Sequence, residues 1–451
     1  MLPQKFLTLA LLFTFSAFLT SCEVSGVSTG CGSAEVGQED KDGYLSGYLS
    51  GELGRPDGFT SSDMQAIKAF YAARGNSFVW RGRRGWTKRA QAAFSALQSA
   101  DREGLSSAQY LAISYGLPDT KEPSLIADAE LKLTKAMLAY VRDVRHGRFN
   151  PRNSVDGGEL LSSGLNAGNF GGWLAALTPI GKTYQELKLA LGGSYGSISE
   201  KQRKKILINM ERQRWRHEQV NGRRIRVNIA GQELEAFHDD RVQLSMNVVV
   251  GRSSRKTPAL EDQIVNLKFS PDWSVPETIM EKDYLPRLKK DANYASSKGF
   301  KVYKNGKSID ASKVDWSKAN FKDYQFRKPP GKGNPLGGVR FSLTNGQGIY
   351  LHDTIGRNQF NKNTRYDSSG CVRVQNAPAL ASWVMLGQSN PMSDAEIKKA
   401  MKQRKSSFKK LDTPVPVSLM YLTAWVDGAG QLRFAKDSYG HDRWLQKKMG
   451  L

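Results

Sequence analysis

The hydrophobic pattern changes period near residue 224, which limits the fold to a helical part followed by a sheet. Before that point apolar residues recur at helical spacing. Thr60 can cap a helix with Met64, Ile67, Phe70 and Tyr71 on one face, and Gly75 suits its C-terminal end. Thr87 starts a second helix with Ala90, Phe94 and Leu97. A third runs through Ala127, Leu131, Leu138 and Val141, and His146 in its last turn complements the helix dipole. Residues 157–172 are rich in Gly, Ser and Asn and read as a loop. Residues 180–216 return to helix, with a basic run from Lys201 to Lys205 that reads as a solvated face.

Beyond residue 224 the period is two. Ile225, Val227 and Ile229 alternate, as do Val242, Leu244, Met246, Val248 and Val250, then Val265, Leu267 and Phe269. These predict half-buried strands of a mainly antiparallel sheet, and the fold class is α+β. Residues 277–335, rich in Lys and aromatics, interrupt the pattern and read as a lid or a surface excursion. Strands resume at Val339, Phe341 and Leu343, and Asn345-Gly346 predicts a hairpin turn. The next strand sets Ile349 and Leu351 on one face and Tyr350 and His352 on the other. His238-Asp239-Asp240 falls in a predicted hairpin turn, and no spacing suits a metal site.

The first residues set the compartment. Lys5 precedes an apolar run from Phe6 to Leu19, shorter than the ~20 residues that span a bilayer. Residues 1–21 therefore read as a signal peptide. Leu19-Thr20-Ser21-Cys22 resembles the bacterial lipobox, which implies cleavage before Cys22 and lipidation of that cysteine. Residues 22–58 read as a disordered tether. Glu23 is not the Asp that retains lipoproteins in the inner membrane of enteric bacteria, so the outer membrane is favoured. Export makes nucleic acid an unsuitable partner for the net charge of +23 and leaves a polyanionic envelope or a solvated surface. It also allows Cys31 to pair with Cys371. Pairing would consume the thiol, so Cys371 is expected to be free.

Cysteines and histidines are scarce, which narrows the chemistry. His352 ends a predicted strand, facing away from its apolar neighbours. Cys371 follows Gly370, whose missing side chain permits a sharp turn and close approach of a ligand. An imidazole beside a thiol is a common means of making a nucleophile near neutral pH. Ser368, Ser369 and Arg373 make the surroundings polar.

His352 followed by Ser368-Ser369-Gly370-Cys371-Val372-Arg373-Val374 resembles the motif of the L,D-transpeptidase (YkuD) family. The family has a second His two residues before the Cys, where this chain has Ser369. That form is similar to the large YcbB-like branch. Further likenesses are Phe70-Tyr71-Ala72-Ala73-Arg74-Gly75, Val249-Val250-Gly251-Arg252 with Thr257-Pro258, Pro271-Asp272-Trp273-Ser274-Val275-Pro276 and Tyr350-Leu351-His352-Asp353-Thr354. The resemblance implies a helical scaffold domain over 59–216. It implies a YkuD-type catalytic domain over 217–451, with 277–335 as a lid insertion. The branch's separate peptidoglycan-binding domain does not fit between Leu174 and Arg216.

The resemblance also implies a mechanism without a cofactor or metal. His352 takes the Cys371 proton, as base or as partner in an ion pair. Cys371 attacks a stem peptide and releases D-Ala, and the Cys371 N–H, with that of Gly370, holds the oxyanion. A neighbouring stem amine resolves the thioester into a 3→3 cross-link. Tyr350, Ser369 and Arg373 line the substrate pocket, and Asp353 and Thr354 orient the loop. Carbapenem β-lactams are implied inhibitors. An L,D-carboxypeptidase or a wall-to-protein transferase shares the acyl-enzyme, and a non-catalytic wall-binding lipoprotein would explain the anchor and the charge. An NlpC/P60 peptidase places its Cys before its His, the reverse of this order.

Overall fold

The computed structural model describes residues 39–150, 155–216 and 221–451. The predicted signal peptide, Cys22 and Cys31 lie outside them. Within them, an N-terminal helical part precedes a C-terminal, mainly β part.

Thr60 caps the helix Ser61–Ala72 through a reciprocal capping box with Asp63. Thr87 caps Lys88–Gln98. Both pack on the long helix Pro123–His146, which buries Ala127, Leu131 and Val141. Glu130 sits inside this helical core. Its carboxylate accepts the N–H groups of Val79 (2.5 Å), Trp80 (3.0 Å) and Arg81 (3.1 Å) and the Tyr71 hydroxyl (2.9 Å). Burial raises its pKa to about 7 against those donors. Glu130→Ala would orphan three backbone donors and is expected to lower the unfolding free energy by at least ~3 kcal/mol, measured by denaturant titration.

Two stretches expected to lack structure are helical. In the predicted tether, Tyr44–Ser50 is a helix that buries Leu45 and Leu49 against the long helix. Gly47 and Gly51 do not break it. A Cβ on Gly47 would lie 2.8 Å from the Leu53 side chain, and Gly51 is the left-handed C-cap with φ 100°. The predicted loop at 157–172 contains helix Gly157–Leu165, capped by Asp156, and the start of Phe170–Ala176, capped by Asn169. Its glycines serve packing. A Cβ on Gly157 would lie 2.5 Å from the Leu138 carbonyl, and one on Gly164 would lie 2.3 Å from the Trp173 ring. Helices Lys182–Leu191 and Glu200–Arg214 then join the two parts. Asn209 bonds Thr423 (2.8 Å), and Arg214, fully buried, bonds Tyr184 (3.0 Å).

The strands of the large sheet are β1 (Arg223–Asn228), β2 (Glu233–His238), β3 (Arg241–Gly251), β4 (Leu260–Phe269), β5 (Val339–Ser342), β6 (Leu351–His352), β7 (Tyr366–Ser368), β8 (Val372–Val374) and β9 (Ser407–Met420). Across the sheet the order is β7-β3-β8-β6-β5-β4-β9-β1-β2, and β2 also pairs with β3, which closes the sheet on itself. Pairing is mainly antiparallel, with parallel pairs β6–β8, β9–β1 and β7–β3. β1 and β2 are buried on both faces, not half-buried. The scaffold explains this: Arg226 on β1 pairs with Glu235 (2.5 Å) and donates to Thr183 (2.6 Å) of the helix lying over it. Asn345-Gly346 does not form a two-residue hairpin. The Asp262 carboxylate binds the N–H groups of Thr344 (2.9 Å) and Asn345 (3.0 Å), so the chain makes a longer loop before β6.

Between β4 and β5 the insertion builds a unit of its own. Its four short strands run in the order Trp273–Ser274, Tyr324–Lys328, Lys301–Lys304, Lys307–Ile309. Met280, Leu288, Val302, Trp316 and Phe326 form a separate small core. A wide π-type turn at Met280–Tyr284 carries Asp283 toward the sheet.

Candidate active site

Strands β6 and β8 place the chemistry. They are parallel, with Leu351 opposite Val372 and His352 opposite Arg373. The register puts Tyr350 opposite Cys371, just before both strands. Side chains alternate along a strand, so Leu351, Val372 and Val374 enter the core, each 0% exposed. Tyr350, His352, Cys371 and Arg373 share the other face and line one cavity of about 470 Å³. That is room for a peptide end or a small ligand. Ser369 also lines it. Trp273, just before the insertion, and Ile279, Asp283, Tyr284 and Arg287 of the insertion line it as well.

The face that Tyr350 and His352 share opens into a covered cavity, not into solvent. His352 is only 5% exposed, because the insertion covers this side. Its Nδ1 lies 2.5 Å from the Asp353 carbonyl. A carbonyl only accepts, so Nδ1 carries the proton and Nε2 keeps the basic lone pair. Asp353 is itself fixed by the Gly338 N–H (2.7 Å) and Arg357 (2.5 Å), and the Thr354 hydroxyl accepts the Gly356 N–H (3.2 Å). Both residues order the loop.

Protonation differs from an ion pair. Burial, with the Arg373 charge beside it, holds the His352 pKa down to about 3. Burial also pushes the Cys371 thiol up, opposed by Tyr350 and by the charges of Arg373 and Arg340. The thiol is free and rests 3.6 Å from the Gly348 carbonyl, which favours its protonated form. No hydrogen bond joins imidazole and thiol among the described residues. The resting site is a neutral thiol beside a neutral imidazole, because desolvation disfavours both charges. Burial and the Cys371 charge raise the Tyr350 pKa, so Tyr350 stays a phenol. Its hydroxyl is suited to donating to the sulfur as charge develops there.

The turn before the nucleophile is tightly held. The Ser368 hydroxyl donates to the Cys371 carbonyl (2.5 Å) and accepts the Gly370 N–H (3.1 Å). The Gly370 N–H is therefore engaged, and the expected pair of oxyanion donors reduces to the Cys371 N–H. That group meets no acceptor among the described residues. Gly370 has φ 122°, a conformation reserved for glycine. Arg373 is held by Gln359 (2.6 Å), with Asp367 at 3.9 Å, so its guanidinium both orders the loop and faces the cavity.

Arg255 does not emerge from the sequence. Its guanidinium grips Asp283 of the insertion with two bonds (2.5 and 2.7 Å) and donates to Ser369 (2.9 Å), two residues before the thiol. The fork ties the insertion to the nucleophile turn. Asp283→Asn is expected to weaken that tie by ~1 kcal/mol, opening the cavity roughly fivefold more often. Modification of Cys371 by a bulky aromatic disulfide should speed up accordingly, read by absorbance. The signal for Arg255 was weak, since only neighbouring Arg252 and Thr257 belong to the quoted likenesses.

Comparison with known proteins agrees with this architecture. Residues 222–415 match the L,D-transpeptidase catalytic domain of the YkuD family, and residues 65–191 match the Scaffold domain. The C-terminal part thus matches a YkuD-type L,D-transpeptidase catalytic domain and the helical part a scaffold domain. That pairing is the architecture of the YcbB-like branch. A Haemophilus influenzae protein named "Putative L,D-transpeptidase" is 32% identical over 243 residues, covering 53% of this chain and 48% of that protein. The chain thus spans about half the length of the curated relative it matches. Among solved structures, the catalytic domain of an E. faecium L,D-transpeptidase acylated by ertapenem is 12% identical with TM-score 0.22, covering 45% of this chain and 100% of that one. The Ldtfm–avibactam carbamoyl enzyme is 14% identical with TM-score 0.21, covering 44% and 49%.

Proposed function

We propose that the protein is a peptidoglycan L,D-transpeptidase acting through a Cys371 thioacyl-enzyme. One observation supports it most: the thiol and an unengaged N–H of the same residue share a cavity with an imidazole whose free lone pair is fixed on Nε2. His352 Nε2 takes the Cys371 proton as sulfur attacks the carbonyl that joins the diamino acid of a tetrapeptide stem to its terminal D-Ala. The developing oxyanion meets the Cys371 N–H. Collapse breaks the amide, and His352 returns the proton to the departing D-Ala amine. An amine from a second stem then attacks the thioester, His352 accepts its proton, and the thiol is restored as the 3→3 amide forms. Tyr350, Ser369 and Arg373 contact the stem, with Arg373 placed to meet a carboxylate.

Carbapenems present a strained carbonyl to the same thiol and would acylate it. The N-terminal pattern supports export to the periplasm and anchoring through lipid on Cys22, in the outer membrane given Glu23. Replacing Cys22 and exchanging the signal peptide should move the protein from the membrane to the soluble fraction.

The reaction is tested by incubating the purified protein with disaccharide-tetrapeptide and separating products by liquid chromatography with mass spectrometry. A 3→3 linked dimer with free D-Ala is expected. Tripeptide alone would make it a carboxypeptidase, and unchanged substrate would contradict an enzyme.

A further inference from the structure

The loop between β3 and β4 contacts the back of the nucleophile turn at a second residue, Thr257. It is 2% exposed and outside the cavity lining. Its hydroxyl accepts the Gly251 N–H (2.8 Å) and donates its one proton to the Gly370 carbonyl (2.7 Å). Its own N–H donates to the Tyr439 hydroxyl (3.1 Å), and that hydroxyl donates to the Gly251 carbonyl (2.5 Å). The loop is wound so closely that a Cβ on Gly251 would lie 2.2 Å from the Arg255 carbonyl oxygen and 2.6 Å from the Thr257 nitrogen.

We infer that Thr257 is a positioning residue that aims the oxyanion donor. The Gly370–Cys371 peptide is trans and planar, so its C=O and N–H point in opposite directions. Pinning the Gly370 carbonyl to the buried Thr257 hydroxyl turns the Cys371 N–H away from that wall. Among the described residues this N–H has no acceptor, and Cys371 lines the cavity. Gly370 alone would not hold the orientation, because glycine is the residue least restricted in φ and ψ. The hydroxyl thus supplies what glycine cannot. Tyr439, on the C-terminal segment, holds Thr257 in turn, which gives residues beyond β9 a part in the site.

The inference rests on Cys371 being an acylated nucleophile, and two reagents separate the two ideas. A β-lactam acylates the thiol through a tetrahedral oxyanion. Iodoacetamide alkylates the same sulfur by direct displacement of iodide and forms no oxyanion. In the full-length protein, Thr257→Val is expected to slow carbapenem acylation about 10- to 100-fold, below the ~10²–10³ loss for removing a donor outright. Alkylation should be unchanged. Thr257→Ser keeps the hydroxyl and should restore acylation. If Thr257→Val does not fold, Tyr439→Phe takes its place, with the same selective loss at smaller size. Equal losses in both reactions would show that Thr257 merely shapes the thiol's surroundings and would overturn the inference. So would acylation at the wild-type rate. A wild-type protein that is alkylated but not acylated would overturn the reading of Cys371, and this inference with it.

Discussion

Cys371→Ala is expected to abolish covalent acylation by tetrapeptide stems and carbapenems, and to lower cross-link formation by several orders of magnitude. Among the described residues no other thiol can stand in, because Cys371 is their one free cysteine. The protein should stay folded. Cys371 is half-buried at the edge of β8, and its side chain faces the cavity, so its loss leaves no hole in the core packed by Leu351 and Val372. A loss of activity with unchanged thermal unfolding would assign the effect to the nucleophile. Retained acylation would contradict the mechanism.

His352→Gln is expected to lower acylation by about 10²–10⁴-fold, the usual contribution of a positioned general base. Iodoacetamide alkylation well above neutral pH should change far less, since solvent then removes the proton. The pH dependence carries the same logic. In an ion-paired site, thiol reactivity would level off between the two pKa values. Here His352 is neutral above about 3 and the thiol is pushed up by burial, so alkylation should climb with pH through neutrality with no plateau. A plateau from weakly acid to neutral pH would restore the ion pair. A linked effect falls on stability. The His352 pKa is depressed in the folded state, so below about 6.5 the unfolded chain binds the proton first. Its contribution is lost progressively as pH falls from there toward about 3.

The large division of the fold was legible because periodicity is a local signal. Thr60 and Thr87 cap the helices they suggested, and the strands of the large sheet begin where the period changes. Glycine misled at Gly47, Gly157 and Gly164. Composition suggests flexibility there, but Gly47 makes room for Leu53 of the following turn, Gly157 for the Leu138 carbonyl and Gly164 for Trp173 of the next helix. The parity of Tyr350 and His352 was readable, and their burial was not. It depends on the insertion, whose docking through Asp283 and Arg255 leaves no pattern in the sequence. The same gap hid the protonation state. A His and a Cys at the right spacing suggest an ion pair, whereas desolvation by a separately folded cover keeps both neutral. The engagement of the Gly370 N–H by Ser368 likewise needed the turn itself.

The proposed mechanism passes through a thioester at Cys371. The most direct measurement is intact-mass spectrometry of the protein quenched in acid during turnover of disaccharide-tetrapeptide, followed by mapping of the modified peptide. The prediction is a mass gain equal to the stem less D-Ala, located on Cys371, absent in Cys371→Ala and released by an added amine. An adduct elsewhere, an adduct that persists in Cys371→Ala, or cross-linking without any acyl-enzyme would contradict it.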